Sequence, residues 1–409
     1  MKVLQINCVY NYGSTGKITY DIHQYLLSQG IESIVCYGRG GKTSDPGVVK
    51  LCPEIYGKMN NLFSRIRGTM YGGCHMATRR LIRIIEKENP DVVHLQCING
   101  YFINIYKLLS WLKENGIKTV LTLHAEFMYT ANCGHALDCG KWMTGCGNCP
   151  RLRQETHSWF VDGTARSYTL MQNAFRGFEK NLTVVSVSPW LRRRAERSPM
   201  LRNMEHRVIL NGIDTNIFTY KPGIRLREKH GITSEKVIFQ ATAMFSDDPE
   251  HLKGGYYLLE LAKRMKDMPV RFLVAGKYRL SGEIPENVTL LGEIRDQKLL
   301  AEYYSSADLT LLTSKKETFS MVCAESLCCG TPVVGFKAGA PEMIAIPEYS
   351  RFVEFGDMDA LDNAVPRWLE SSDVEKTSIS VTAQQRYSRE NMMKEYIEIY
   401  RGLSNEASC

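Results

Sequence analysis

The sequence predicts an α/β protein built as two Rossmann-like domains, and three observations carry that prediction. The chain has 409 residues, more than one ordinary hydrophobic core organises, so two domains are the starting expectation. Short apolar runs of the buried-strand kind alternate with amphipathic stretches of helical length, the pattern of parallel sheets with right-handed crossovers. The pattern also begins twice: an apolar strand followed by a glycine-containing turn and a helix opens the chain, and a second apolar strand with a glycine-bearing helix start begins at Val237.

In the first half, residues 3–7 form the opening strand, and Cys8 to Gly16 lead to a helical pattern over residues 17–27. The turn Gly13-Ser14-Thr15-Gly16 is not the G-x-G-x-x-G dinucleotide signature, so by itself it reads equally as a tight turn or a phosphate-approaching loop. Further strands are predicted at residues 32–38, 91–96, 118–124 and 183–188. The strand Thr119-Val-Leu-Thr-Leu ends in His124, with Glu126 just beyond. A polar, glycine-rich loop follows and holds Cys133, Cys139, Cys146 and Cys149. Four thiolates suit tetrahedral zinc, and Cys146-Gly-Asn-Cys149 is a knuckle that lets two sulfurs converge. A loop so poor in apolar residues needs something to order it, so structural zinc is the expectation. His135 in place of one thiol, two disulfides and free thiols are the alternatives. Arg192-Arg193-Arg194 then extends the basic surface beyond Ser188-Pro189-Trp190.

In the second half, strands are predicted at residues 237–243 and 270–276, and His251-Leu-Lys-Gly-Gly255 precedes a helix over residues 256–265. Residues 308–313 read as a strand, Ser320 as the N-cap of a helix over residues 321–329, and Gly330-Thr331-Pro332 as its end before a strand at 332–336. This strand, loop, helix, strand unit sets Glu317 before the helix and Glu325 inside it. A helix N-terminus at the carboxyl end of a sheet offers free amides and partial positive charge to an anion, which Phe319, Ser320 and Met321 would present. Phosphate flanked by two carboxylates suggests a sugar nucleotide. A helical pattern over residues 387–403 ends the chain.

These residues resemble the paired-glutamate motif of the family-four retaining glycosyltransferases of the GT-B architecture, two Rossmann-like domains facing a cleft with a C-terminal helix returning to the first. The resemblance covers nearly the whole chain. It implies an acceptor domain over residues 1–208 with the cysteine loop 131–150 inserted, a donor domain over 209–386 and a terminal helix over 387–409. It assigns Glu317 to the donor hexose, Glu325 to the ribose, His124 to the donor sugar, and Gly16 to the backbone near the donor phosphate. Val208-Ile-Leu-Asn-Gly-Ile-Asp214 resembles the crossing between domains, and Lys337-Ala-Gly-Ala-Pro-Glu342 the loop closing under the diphosphate. Relatives pair an arginine at the strand end with a Lys-Gly. Here Lys253-Gly254 stands without the arginine, and Lys277 is the candidate substitute. Bacterial capsule and surface-polysaccharide transferases carry a similar cysteine loop, which supports zinc at Cys133, Cys139, Cys146 and Cys149.

The implied activity is retaining transfer from a nucleotide-sugar donor, a UDP-sugar, to a saccharide acceptor, in surface polysaccharide biosynthesis. Glu317, His124 and Lys253 form the catalytic set, and Gly16, Lys253, Phe319, Ser320, Met321 and Glu325 the donor-binding set. No Asp-x-Asp pair is placed like a donor-metal site, Asp247-Asp248 being adjacent and followed by proline, so no catalytic divalent metal is expected. A sugar-nucleotide epimerase, which would want further acids and histidines, and a non-catalytic nucleotide-sugar binder with a zinc docking loop are the rivals.

No signal-like h-region or membrane-length apolar run is present, so a cytoplasmic protein is expected. The net charge of +7 is uneven: residues 55–85 hold Lys58, Arg65, Arg67, Arg79, Arg80 and Arg83 with no acid. That basic, apolar-interleaved stretch suits an anionic membrane surface on the inner face of the cell membrane, and with it a lipid-linked acceptor. Nucleic acid is not expected, because no aromatic platform accompanies the charge.

Overall fold

The computed structural model describes residues 1–222, 226–370 and 375–405. The chain divides into two compact units, Met1–Ile209 with Met393–Cys409, and Leu210–Met392. It leaves the first unit inside the heptapeptide expected to make that crossing. Of the expected terminal element, residues 406–409 lie outside the described residues.

The first unit carries a seven-stranded parallel sheet in the order β3-β2-β1-β4-β5-β6-β7. Its strands are β1 (Lys2–Asn7), β2 (Glu32–Tyr37), β3 (Val48–Lys50), β4 (Val92–Leu95), β5 (Thr119–Leu123), β6 (Leu182–Ser186) and β7 (Glu205–Val208). Strands β4, β5 and β6 are buried along their whole length, which is why they read as continuous rather than alternating apolar runs. Helix α1 (Gly13–Ser28) lays Ile18, Ile22 and Leu26 on the sheet at four-residue spacing. Residues 54–88 fold as two helices, α2 (Glu54–Arg67) and α3 (His75–Glu88).

The second unit carries a six-stranded parallel sheet in the order β10-β9-β8-β11-β12-β13. Its strands are β8 (Lys236–Ser246), β9 (Val270–Arg279), β10 (Val288–Gly292), β11 (Leu309–Leu312), β12 (Val333–Phe336) and β13 (Ser350–Val353). Its core joins Ile238, Phe272 and Leu311 of the sheet with Leu258, Leu261 and Leu361 of the covering helices. Both β8 and β9 run three residues past their predicted ends. The pairing slips at a bulge between Ala241 and Met244 and resumes as Met244 opposite Lys277 through Ser246 opposite Arg279. Gly276 makes this possible: its φ is +144°, and a Cβ there would lie 2.0 Å from the Thr242 carbonyl oxygen.

Both sheets are doubly wound, and strand order reverses between β1 and β4 and between β8 and β11. In such sheets ligands bind beyond the carboxyl ends of the strands at the reversal.

The terminal helix Arg389–Asn405 brings Tyr396 and Tyr400, both fully buried, into the first unit. The Tyr396 hydroxyl lies 2.9 Å from Thr122 Oγ1, and that of Tyr400 2.7 Å from His94 Nδ1. The helix therefore returns to the first domain as expected. No helix among the described residues is long and apolar enough to cross a membrane.

Candidate active site

In the second unit, the loops after β8 and β11 meet at the reversal. Lys253 precedes the helix Gly255–Arg264, whose N-cap Gly254 has φ +63°. A Cβ at Gly254 would stand 2.0 Å from the Thr313 carbonyl oxygen, so only glycine lets this turn press against the end of β11. The approach brings Lys253 Nζ to 2.6 Å from Glu317 Oε1. Glu317 is itself held by backbone: its N–H donates to the Ala338 carbonyl (2.9 Å), and its carbonyl accepts from Ala340 N–H (3.2 Å). Behind it, the Glu342 carboxylate accepts from Ala338 N–H at 3.0 Å and Gly339 N–H at 2.9 Å. The loop 337–342 thus backs Glu317, with Glu342 as its brace, a role that spacing alone does not reveal.

Ser320 caps the helix Met321–Cys328: its hydroxyl accepts from Cys323 N–H at 3.3 Å, and its backbone takes a left-handed φ of +83°. Phe319 is buried and anchors the loop, while Met321 is half-buried at the first turn. One turn further on, Glu325 Oε2 accepts from the Tyr304 hydroxyl at 3.3 Å. Glu325 lines a cavity of about 260 Å³ together with Thr242, Gly276, Lys277, Glu293 and Tyr304. Lys277 reaches this cavity because β9 continues past Gly276, and its ammonium lies 3.6 Å from Glu293. So the candidate replacement for the absent arginine does face the Glu325 cavity. Asp247 is committed elsewhere: Oδ2 accepts from Ser281 N–H (2.7 Å), Ser281 Oγ (2.8 Å) and Gly282 N–H (2.9 Å).

Within the first unit, His124 stands at the end of β5. Its Nε2–H donates to Gln96 Oε1 at 2.9 Å, and Gln96 Nε2 donates to Gln5 Oε1 at 3.2 Å. Because an amide oxygen only accepts, this relay fixes the proton on Nε2. Burial pulls the His124 pKa down to about 4, so the ring is neutral near pH 7. Gln5 and Gln96 are buried and had no signal in the sequence, where glutamine within an apolar strand marks no chemistry.

Two expectations for this unit are corrected. Gly16 does not lie in an open loop: α1 starts at Gly13, so Gly16 sits buried in its first turn against Val9, and its carbonyl accepts from Asn11 N–H at 3.0 Å. Glu126, two residues past His124, does not face solvent. It is fully buried, accepting from Arg194 Nε and from the Tyr129 hydroxyl on Oε1 and from Ala136 N–H (2.6 Å) on Oε2. Arg194 in turn is not basic surface, since it lies 5.0 Å over the rings of both Trp142 and Trp190.

These contacts order the cysteine loop through side chains, with Ala136 and Trp142 buried in it. The four thiols are not in disulfides. Burial raises the pKa of Cys133 and Cys146, the latter to about 11, and the neighbouring cysteines push in the same direction. The donor types fit zinc, but the placement does not: among the described residues no group of three or more His, Cys, Asp or Glu is positioned to hold a metal ion.

Two doubly wound sheets, the second presenting a lysine-bonded carboxylate, a capped helix start and a second carboxylate in a cavity, define a glycosyltransferase of the GT-B fold. Residues 15–217 match the family model Glycosyltransferase Family 4 and residues 225–386 match Glycosyl transferases group 1, and the chain belongs to this family. It is 22% identical to a protein of Escherichia coli named as a colanic acid biosynthesis glycosyl transferase, WcaC, across 98% of this chain and 100% of the relative. It is 23% identical to N-acetyl-alpha-D-glucosaminyl L-malate synthase of Bacillus anthracis, across 78% of this chain and 77% of that one. Among solved structures, a glycosyltransferase from Rickettsia africae superposes with a TM-score of 0.67 at 16% identity, covering 98% of both chains. Anabaena HepE in complex with UDP superposes at 0.66 with 15% identity, covering 98% of this chain and 100% of that one.

Proposed function

We propose that this protein transfers a sugar, with retention, from a UDP-sugar to a lipid-linked saccharide acceptor in bacterial surface polysaccharide biosynthesis. The observation that carries the reading is the Lys253–Glu317 pair beside the capped helix and the Glu325 cavity, all at the strand-order reversal of the second sheet. A diphosphate set at that helix start meets backbone N–H groups and the Lys253 ammonium, which stabilise the charge that develops as the bond to the sugar breaks. Glu325 holds the ribose and Glu317 orients the hexose. On the donor's leaving face, the C1–oxygen bond to diphosphate breaks, a bond to the acceptor oxygen forms on the same side, and the acceptor proton passes to a diphosphate oxygen. Neutral His124 contributes a hydrogen bond to the sugar rather than a charge.

The saccharide-polymer assignment draws on the resemblance to WcaC, and the uridine base on the class of ligand seen with HepE. The lipid-linked acceptor draws on the acid-free basic stretch at residues 55–85. Zinc in the cysteine loop stays a proposal resting on the four thiols, which a bound ion would have to draw together. The function is tested by screening purified protein against sugar nucleotides for thermal stabilisation and for slow release of nucleotide. Stabilisation and turnover by one UDP-sugar are expected. Stabilisation without turnover, with or without saccharide acceptors, would favour a binding protein, and C-epimerised nucleotide sugar would favour an epimerase.

A further inference from the structure

Helix α2 presents its apolar side to solvent. The residues it buries include Gly57 and Ser64, while Ile55, Met59, Leu62, Phe63 and Ile66 are exposed by 63, 50, 45, 49 and 41%. Their spacing of four, three, one and three residues puts them on one face of the helix. At the C-terminal end of this row, the Arg65 carbonyl accepts from Trp159 N–H (2.9 Å) and from the Ser158 hydroxyl (3.3 Å). That tie sets a second exposed apolar group beside the first: Trp159, Phe160 at 78% exposure, and Val161. Met76, 73% exposed, adds to the surface from the start of α3, where its N–H donates to the Tyr56 hydroxyl at 3.2 Å.

Cations flank the row. On α2 itself these are Lys58 and Arg67, both exposed, with the Arg67 guanidinium 5.9 Å over Phe63; Arg79 and Arg83 are exposed on the next helix, α3, where Arg80 donates to the Leu51 carbonyl at 2.9 Å. The nearest preceding acid, Glu54, is occupied by Arg39, Lys50 and the Gly40 N–H. Large apolar side chains gathered on one helix face and on the segment tied to its end are costly to leave in water. A helix with large aliphatic and aromatic side chains on one face, rimmed by lysine and arginine, fits the boundary between lipid headgroups and acyl chains. An anionic bilayer answers both parts of the surface at once, the headgroup phosphates meeting the cations and the acyl boundary the apolar row.

We propose that α2 and the segment 158–161 insert into the surface of an anionic bilayer, the apolar row sinking below the headgroups while the flanking cations pair with lipid phosphates. This deepens the membrane-acceptor reading above and rests on it. The test uses full-length protein with vesicles of phosphatidylglycerol and phosphatidylcholine, against phosphatidylcholine alone. Trp159, the exposed tryptophan among the described residues, reports insertion through quenching by brominated lipid, with Trp159→Phe as the control.

Binding to anionic vesicles that partly survives raised salt, with quenching lost in Trp159→Phe, is expected. Phe160→Ser and the double change Phe63→Ser, Ile66→Ser should each weaken partitioning about tenfold or more while melting temperature and release of nucleotide from donor stay as in the wild type. Binding that salt abolishes and that both serine variants leave unchanged would overturn insertion. A dimer dispersed by Phe63→Ser, Ile66→Ser in protein that ignores vesicles would give the face to a second copy and overturn the proposal too. Either result with normal donor turnover leaves the transferase reading standing, whereas vesicle insertion without turnover of any sugar nucleotide would sink that reading alone.

Discussion

Replacing Lys253 by alanine separates what the Lys253–Glu317 pair does for the fold from what it does for transfer. Without donor, the two side chains lie 2.6 Å apart and keep 31 and 18% of their surface exposed. Solvent screens such a pair, so its loss costs the fold at most about 1 kcal/mol. With donor bound, losing one charge-assisted hydrogen bond to the leaving diphosphate costs about 1.5–3 kcal/mol, or about 10- to 150-fold in turnover. Glu317→Gln shifts the balance differently. The amide no longer competes for the ammonium, so UDP affinity should rise by up to about fivefold, the equivalent of the 1 kcal/mol released. Transfer should still slow, because the hexose loses its carboxylate. The assay is release of UDP from the UDP-sugar, resolved into kcat and KM, beside calorimetric UDP binding. A kcat for Lys253→Ala within about twofold of wild type, or UDP bound more weakly by Glu317→Gln, would refute the reasoning.

Glu325→Ala should weaken UDP binding by about 10- to 150-fold, with the folded state little changed, and unaltered binding would remove Glu325 from the nucleotide site. Stability should fall in acid through His94, which is fully buried and whose pKa burial lowers from 6.5 to about 3. Above pH 6.5 both states are neutral there; below it the unfolded chain takes up a proton that the native one refuses, at a cost near pH 5 of about 2 kcal/mol. Urea unfolding at neutral pH and near pH 5 checks this, and a His94→Asn variant with the same pH slope as wild type would contradict it. Elemental analysis of protein purified without added metal should find one zinc per chain if the four thiols gather around an ion, and metal-free protein with an ordered loop would assign that order to the Glu126–Arg194–Trp142 contacts.

The strand, loop, helix, strand unit around Glu317 was legible because its signals are local: a serine cap, an uninterrupted helical run and a Gly-Thr-Pro stop. The inner strands were legible because burial on both faces leaves them largely apolar, whereas the part-exposed edge strands β3, β7, β10 and β13 carry no such run and gave no signal. What connects distant residues was not. Nothing in periodicity pairs Lys253 with Glu317, aligns Gln5 and Gln96 behind His124, or turns Arg194 inward to meet Glu126. The residues of the cysteine loop by themselves suggest an ion for order, while part of the ordering comes from Arg194, on a helix beyond the loop, which meets Glu126 and Trp142. Likewise a charge count over residues 55–85 could not say that α2 buries small residues and exposes its large ones. The extension of β8 and β9 depends on a bulge that shifts register, and a strand pattern of period two breaks off where such a bulge begins.

Time-resolved proton NMR of a UDP-sugar incubated with the protein tests the central proposal most directly, since the proposed retention at the Lys253–Glu317 site would dictate which anomer is released first when water replaces the acceptor. The account predicts that the first sugar signal carries the donor's own anomeric configuration and that Lys253→Ala delays it. A first signal of the opposite anomer, or release at the wild-type rate from Lys253→Ala, would contradict it.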